Sequence, residues 1–393
     1  MKEKDIPEGY KDSTLGVIPK EWEIKRLGEI CSHFKSGTTI TSKQISEKGK
    51  YPVYGGNGLR GYSDTYTHDG AYILIGRQGA LCGNINYVEG RNYISEHAIA
   101  VQSFENIQWL KYKLDYWNLN KFSESSAQPG LSVEKLVRYK LIVPPINEQK
   151  KIAEILSVWD DAIEKQTRLI DALICRKRAL MQQLLTGKKR LLYYTEPWKQ
   201  VRLGNIFCEV NAINDKQQNY PVMTISAKLG LVSQQNKFDR IIAGNSLNKY
   251  TLLKKDDFAY NKGNSKTYPM GCIYKLDEYE YALVPFVYIC FQKTAKINIS
   301  FYQQWFINHG LDKQLKRIIT SGARGDGLLN VDRKDFFNTT VPFPHFTEQQ
   351  VIATILATAD LEIELVKKRL DQFGTQKRSL MQQLLTGKKR IKT

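Results

Sequence analysis

At 393 residues the chain is long enough for more than one hydrophobic core. Lys and Arg outnumber Asp and Glu by 58 to 40, a formal net charge of +18, which favours a polyanionic partner, either nucleic acid or an anionic membrane surface. No apolar run can span a bilayer, no signal-peptide pattern marks residues 1–20, and six scattered cysteines form neither a C-x-x-C pair nor a zinc pattern with histidine, so a membrane protein and a zinc module are set aside and a reducing cytoplasm is expected.

In chain order, residues 1–20 read as a polar arm punctuated by Pro7, Gly9, Gly16 and Pro19. Residues 21–146 are rich in Tyr, Gly and short apolar runs such as Tyr72–Ile75 and Leu141–Val143, which predicts short strands and turns with a helix over Ile107–Asn118. Val143-Pro144-Pro145-Ile146 ends this body, and a long helix segment follows over 147–190. Asn147 is expected as its N-cap, with Glu148 placed to favour the first turn and Gly187 as its C-terminal cap. A linker and a second body cover 191–346, with a strand expected over Val284–Ile289 and a helix over Phe301–His309. A second long helix covers 347–393, with Thr347 and Gln350 as a capping box and Gly387 as its end.

The two helices are repeats. Leu180–Arg190 and Leu380–Arg390 both read LMQQLLTGKKR, and Glu148–Leu156 (EQKKIAEIL) faces Glu348–Leu356 (EQQVIATIL). A looser echo opens each body, Trp22 before Arg26-Leu27-Gly28 and Trp198 before Arg202-Leu203-Gly204, with Tyr51-Pro52-Val53 and Tyr220-Pro221-Val222 as a faint common mark. Both helices carry a heptad seam: Ile152, Leu156, Trp159, Ile163, Ile170, Leu173, Leu180 and Leu184 in the first, and Ile352, Leu356, Ile363, Val366, Leu370, Phe373, Leu380 and Leu384 in the second. Two such seams in one chain pack most simply on each other as a coiled coil, and the order body, helix, body, helix becomes pseudo-twofold if they run antiparallel. The expected class is α+β: two bodies of mixed strands and helices separated by two long antiparallel helices of about 38 residues, or about 57 Å. Ile155, Ile174, Leu185 and Leu385 flank the seam and are expected to need cover from a partner.

Catalytic signatures are weak. Gly56-Asn57-Gly58-Leu59-Arg60-Gly61 fits G-x-G-x-x-G, but Tyr62–Tyr66 follows instead of a helix, so it reads as a turn-rich loop. There is no phosphate-binding P-loop, and Val143-Pro144-Pro145-Ile146 lacks the polar residue and the aromatic of an amino-methyltransferase loop. What remains suits binding. Thr38, Thr39, Asn57, Arg60, Tyr62, Arg77 and Gln78 in the first body, and Lys228, Asn261, Lys262, Asn264, Lys266 and Arg324 in the second, put cations and amides among glycines and aromatics. Such side chains pair with base edges in the major groove, and Lys beside Gly-rich backbone suits phosphates. The Lys188–Arg190 and Lys388–Arg390 runs are either phosphate contacts or solvated helix ends.

Leu15-Gly16-Val17-Ile18-Pro19 before Trp22, Pro144-Pro145 before Glu148-Gln149 and a long helix, and Leu-Leu-Thr-Gly at its end together resemble the specificity subunit of type I restriction-modification systems, with the second half repeating the marks. Pro344-His345-Phe346 departs from Pro144-Pro145-Ile146. The resemblance implies a non-catalytic reader of double-stranded DNA with two target recognition domains, one per half of a split site, and an unread spacer set by the helices. It implies two methylation subunits carrying S-adenosylmethionine, and restriction subunits using ATP and Mg. The rival readings are a structural coiled-coil adaptor and a stand-alone DNA methyltransferase or nuclease.

Overall fold

The computed structural model describes residues 6–79, 81–123, 130–214, 218–227, 229–235, 244–263, 267–319 and 329–391. The chain divides into two compact units, the first made of 1–168 with 367–393 and the second of 169–366. The central helix, Ile146–Leu184, and the C-terminal helix, Phe346–Leu384, therefore each contribute to both.

In the first unit a four-stranded antiparallel sheet has the spatial order Cys31–Ser36, Ala98–Ser103, Tyr72–Gly76, Ile85–Val88. Both faces are covered, so alternate residues serve two cores. Ile73, Ile75, Ile99 and Val101 face the core shared with the helix Ile107–Trp117, while Tyr72, Leu74, Ala98 and Ala100 join Val88 and Ile94 on the other side. Asn106 caps that helix through Trp109 N–H, and Asn118 ends it at φ 50°. A smaller sheet pairs Tyr51–Gly55 parallel to Arg91–Ile94, with Val53 opposite Tyr93. Lys140–Val143 pairs with Glu23–Arg26 and leads into the central helix.

The second unit repeats this topology with unlike residues. Its sheet runs Phe207–Glu209, Ile289–Lys293, Phe258–Asn261, Cys272–Lys275. Thr340–Phe343 pairs with Lys199–Arg202, and Asn298 caps the helix Ile299–Ile307 through Phe301 N–H. Val222 bridges Leu283 in parallel, as Val53 meets Tyr93, so the shared Tyr-Pro-Val marks one structural position. The expected strand over Val284–Ile289 is two strands separated by a turn. Pro285 cannot donate to a ladder, and its carbonyl accepts from Tyr288 N–H at 3.0 Å.

Within each unit the helix segments run antiparallel. In the first, Glu148 meets Arg390 and Asp160 meets Lys377, with Trp159 edge-on to Phe373 at 5.7 Å. In the second, Glu348 meets Arg190 and Asp360 meets Lys177, with Glu362 bonded to Arg176. Of the seam positions, Ile152, Leu156, Ile170, Leu173, Leu184, Ile352, Leu356, Ile363 and Leu384 are buried. Trp159, Ile163, Leu180, Val366, Leu370, Phe373 and Leu380 are half-buried.

Two helix-end expectations change. The helices begin at Ile146 and Phe346, so Asn147 and Thr347 lie inside the first turn and do not cap it. Glu148 lies in the first turn as expected, as Glu348 does in the second helix, and both are almost fully buried and accept from Trp22 and Trp198. Leu185 and Leu385 need no partner, because the turns at Gly187 and Gly387 (φ 70° and 73°) fold each last turn into its own unit, where both leucines are fully buried. Ile155 and Ile174 are half-buried. No described helix is long and apolar enough to cross a membrane.

Candidate nucleic-acid interface

The first body brings several predicted residues to one corner, at the ends of the strands. Gly55-Gly56-Asn57-Gly58 is a tight hairpin turn with Gly55 opposite Gly58, which has φ 101°. The G-x-G-x-x-G match is thus a strand turn. A Cβ on Gly56 would lie 2.7 Å from His97 O and 3.0 Å from Gly76 Cα, so only glycine lets this turn approach the neighbouring strand exit. Arg77 N–H donates to His97 O at 2.9 Å, and Thr38 N–H to Ile94 O at 2.9 Å. Tyr93 Oη donates to Thr39 O at 2.9 Å and fixes the Gly37–Thr39 loop. Thr38, Thr39, Asn57, Arg60 and Gln78 are exposed, while Tyr62 and Arg77 are half-buried. Thr38 bridges Ser95 and Arg77 reaches His97, while Gln78 bridges Gly130. Arg60 and Tyr62 lie along the outer hairpin strand, Gly58–Ser63.

In the second body, Asn261 ends the strand Phe258–Asn261, and its Oδ1 accepts from Gly263 N–H at 2.9 Å. Lys262 follows, half-buried, and its carbonyl accepts from Leu329 N–H at 2.9 Å. Lys228, Asn264, Lys266 and Arg324 lie outside the described residues.

The Lys-Lys-Arg runs divide by residue. Arg190 and Arg390 are engaged within the protein. Arg390 Nε donates to Glu148 Oε1 at 2.9 Å and Nη2 to Glu21 Oε2 at 2.7 Å; Arg190 donates to Glu348 through Nε at 3.0 Å and Nη2 at 3.1 Å. Lys188, Lys189, Lys388 and Lys389 are exposed. Beside Trp198 the second unit has a cleft of about 730 Å³, lined among others by Tyr194, Lys296, Phe343 and Phe346. The matching Trp22 is closed over by the buried Ile18 and Pro19 of the arm.

The repeated frame and the basic strand ends lead to the comparisons with known proteins. A sequence model of the type I restriction modification DNA specificity domain matches residues 19–173 and again 195–373. The chain belongs to the type I restriction-modification DNA specificity family. An EcoprrI specificity subunit of Escherichia coli is 45% identical over 159 residues, 38% of this chain and 39% of that one. The MjaVIII specificity subunit of Methanocaldococcus jannaschii is 24% identical over 98% of this chain and 97% of its own length. The S subunit of M. genitalium has the same fold, with a TM-score of 0.58 at 16% identity, covering 93% of this chain and 96% of that one.

Sequence reasoning missed Glu96 and His97, which sit at the same corner. His97 is exposed with Nε2 3.3 Å from Glu96 Oε1, and Glu96 Oε2 accepts from Ile40 N–H at 3.2 Å. They occupy a turn between strands of two different sheets, which no local pattern marks. Among the described residues, no group of three His, Cys, Asp or Glu side chains could hold a metal ion. Burial pushes the Cys31 and Cys290 thiols up to about 12, which keeps them protonated at neutral pH.

Proposed function

We propose that this chain selects the DNA site for a type I restriction-modification complex, each body reading one half of a bipartite sequence. The observation that carries this is the repeat itself: one topology built twice, with equivalent junctions to the helices but unlike residues at the strand ends. Two unlike edges on one frame suit two unlike half-sites, and tethering them makes the second contact intramolecular. The two helices set the unread spacer and hold two methylation subunits, with restriction subunits joining the assembly. The chain supplies recognition and no chemistry. S-adenosylmethionine belongs to the methylation subunits, and ATP and Mg to the restriction subunits.

The test is the adenine-methylation map of cells that carry this chain with its methylation subunits, beside cells lacking only the chain. A split motif that disappears with the chain is the expected result. Exchanging residues 21–146 for another first body should then change one half-site and leave the other. A map unchanged by deletion, with active methylation subunits present, would reject the reading in favour of an adaptor.

A further inference from the structure

Arg77 and Lys262 lie in stretches with no sequence likeness, Arg77-Gln78-Gly79-Ala80 and Lys262-Gly263-Asn264-Ser265. The fold makes them equivalent. Each is the first residue after the third strand of its sheet order, Tyr72–Gly76 and Phe258–Asn261. In each unit that residue's carbonyl is clamped by a leucine N–H at 2.9 Å, Leu131 for Arg77 and Leu329 for Lys262. Both leucines are buried, and each precedes the short helix and the strand that lead into a long helix. The clamp thus ties the strand exit to the repeated frame in both units.

The two side chains are also alike in their surroundings. Both are half-buried, and among the described residues neither has a carboxylate partner. Several other cations of the same bodies are matched, Lys25 with Glu105 and Glu23, Arg91 with Asp69, Lys275 with Asp256 and Asp277, and Arg333 with Glu209. A half-buried cation on a hydrogen-bonded strand exit without a counter-charge is prepared to meet acceptors from outside the protein.

We propose that Arg77 and Lys262 are corresponding specificity-determining residues, each pairing with the O6 and N7 acceptors of a guanine in its own half-site. The assignment rests on the DNA-reading function above. Guanine is the base whose major-groove edge offers two acceptors, and Arg engages both while Lys supplies a point charge. The strand before each residue and the hydrogen bond to its carbonyl fix where its side chain starts, and a contact that specifies a base needs that fixed origin. The first half-site should therefore discriminate its guanine more sharply than the second.

The experiment uses the whole chain with its methylation subunits. Methylation maps are compared for the wild type, Arg77→Gln, Lys262→Gln and a deletion of the chain. Arg77→Gln should lower selectivity at one guanine of one half-site by about tenfold or more, and Lys262→Gln should do so by a smaller factor in the other half-site only. If a variant gives no methylation, the purified complex is titrated with duplexes changed one base pair at a time, and loss of preference at that single guanine with binding retained supports the proposal. Uniform weakening with the motif intact would mean phosphate contacts and overturn it. So would an unchanged motif, or the same change in both half-sites from one variant. A motif that survives deletion of the chain rejects the function itself, whereas a motif that needs the chain but ignores both variants rejects only this assignment.

Discussion

On the helix side of the first sheet, the core is built from Ile73, Ile75, Ile99, Val101, Leu110 and Leu114; the corresponding places in the second unit hold Phe258, Tyr260, Ile289, Phe291, Tyr302 and Phe306. At these places the first core is aliphatic, with Trp109 and Tyr112 elsewhere in it, and the second is a network of edge-on and stacked rings, with Phe291 5.3 Å from Phe258 and 5.9 Å from Phe306. The polar junctions hardly differ. Trp22 and Trp198 each donate to a buried glutamate at 2.9 Å. Gln149 accepts from Asn106 N–H and donates to Pro144 O, and Gln349 does the same with Asn298 and Pro344. Volume and apolarity fill the sheet in many ways. A buried carboxylate needs donors in fixed places, and that requirement holds the repeated geometry.

The sharpest break in the comparison should come from the rings. Phe291→Ala removes a fully buried side chain from the centre of the aromatic cluster and should cost about 3–5 kcal/mol, while Val101→Ala at the matching place should cost about 2 kcal/mol. Denaturant unfolding of both variants measures the difference. Equal losses would show that the aromatic core collapses around the vacancy and is no more tightly specified than its aliphatic counterpart.

The junctions should behave alike where the cores do not. Glu148→Ala removes the acceptor of Trp22 Nε1 and Arg390 Nε, leaving Arg390 only Glu21, and Glu348→Ala does the same to Trp198 and Arg190, leaving Arg190 only Glu196 O. Each change should cost about 2–4 kcal/mol, less than a fully buried pair because the arginines are only partly buried. The two losses should agree to within about 1 kcal/mol in the same unfolding assay. A large disparity would mean that the arm over Trp22, or the cleft beside Trp198, contributes more than the shared bonds do.

Much of this frame was legible in the sequence, since heptad seams, the repeated Trp and Leu-Gly marks and the C-terminal glycines are local patterns with local causes. The central helix starts one residue before the expected cap, at Ile146, because Asn147 fits capping chemistry on paper while the chain is already helical there. Only the fold reveals that Trp22 and Arg390, far away in the chain, converge on the Glu148 carboxylate. The Val284–Ile289 run looked like one strand because apolar residues flank Pro285, and the proline decides otherwise. Lys262 was singled out as one basic residue among several. Its correspondence with Arg77 is a property of strand order, and loops of different length and composition hide it from any alignment of the two halves.

The smallest expected effect concerns one place where the junctions are not equivalent. Lys113 lies on the helix Ile107–Trp117 where the second unit has Trp305, counting from the capping residues Asn106 and Asn298. It is 3% exposed, and its Nζ donates to Leu385 O at 2.6 Å, at the end of the C-terminal helix where carbonyls lack helical partners. Burial pushes this ammonium from the ordinary 10.5 down to about 7. Between these values the unfolded chain holds a proton that the folded chain has released, so stability should rise with pH from about 7 towards 10.5, and Lys113 adds no slope below about 7. The bond to Leu385 O favours the charged form and limits the gain to about 1–2 kcal/mol between pH 7 and 9. Lys113→Met keeps the stem and abolishes that slope, and the second unit contributes none because an indole does not titrate there. Parallel stability curves for the wild type and Lys113→Met over this range would mean that the helix end keeps the lysine charged despite its burial, and that the carbonyl at Leu385 outweighs the loss of water.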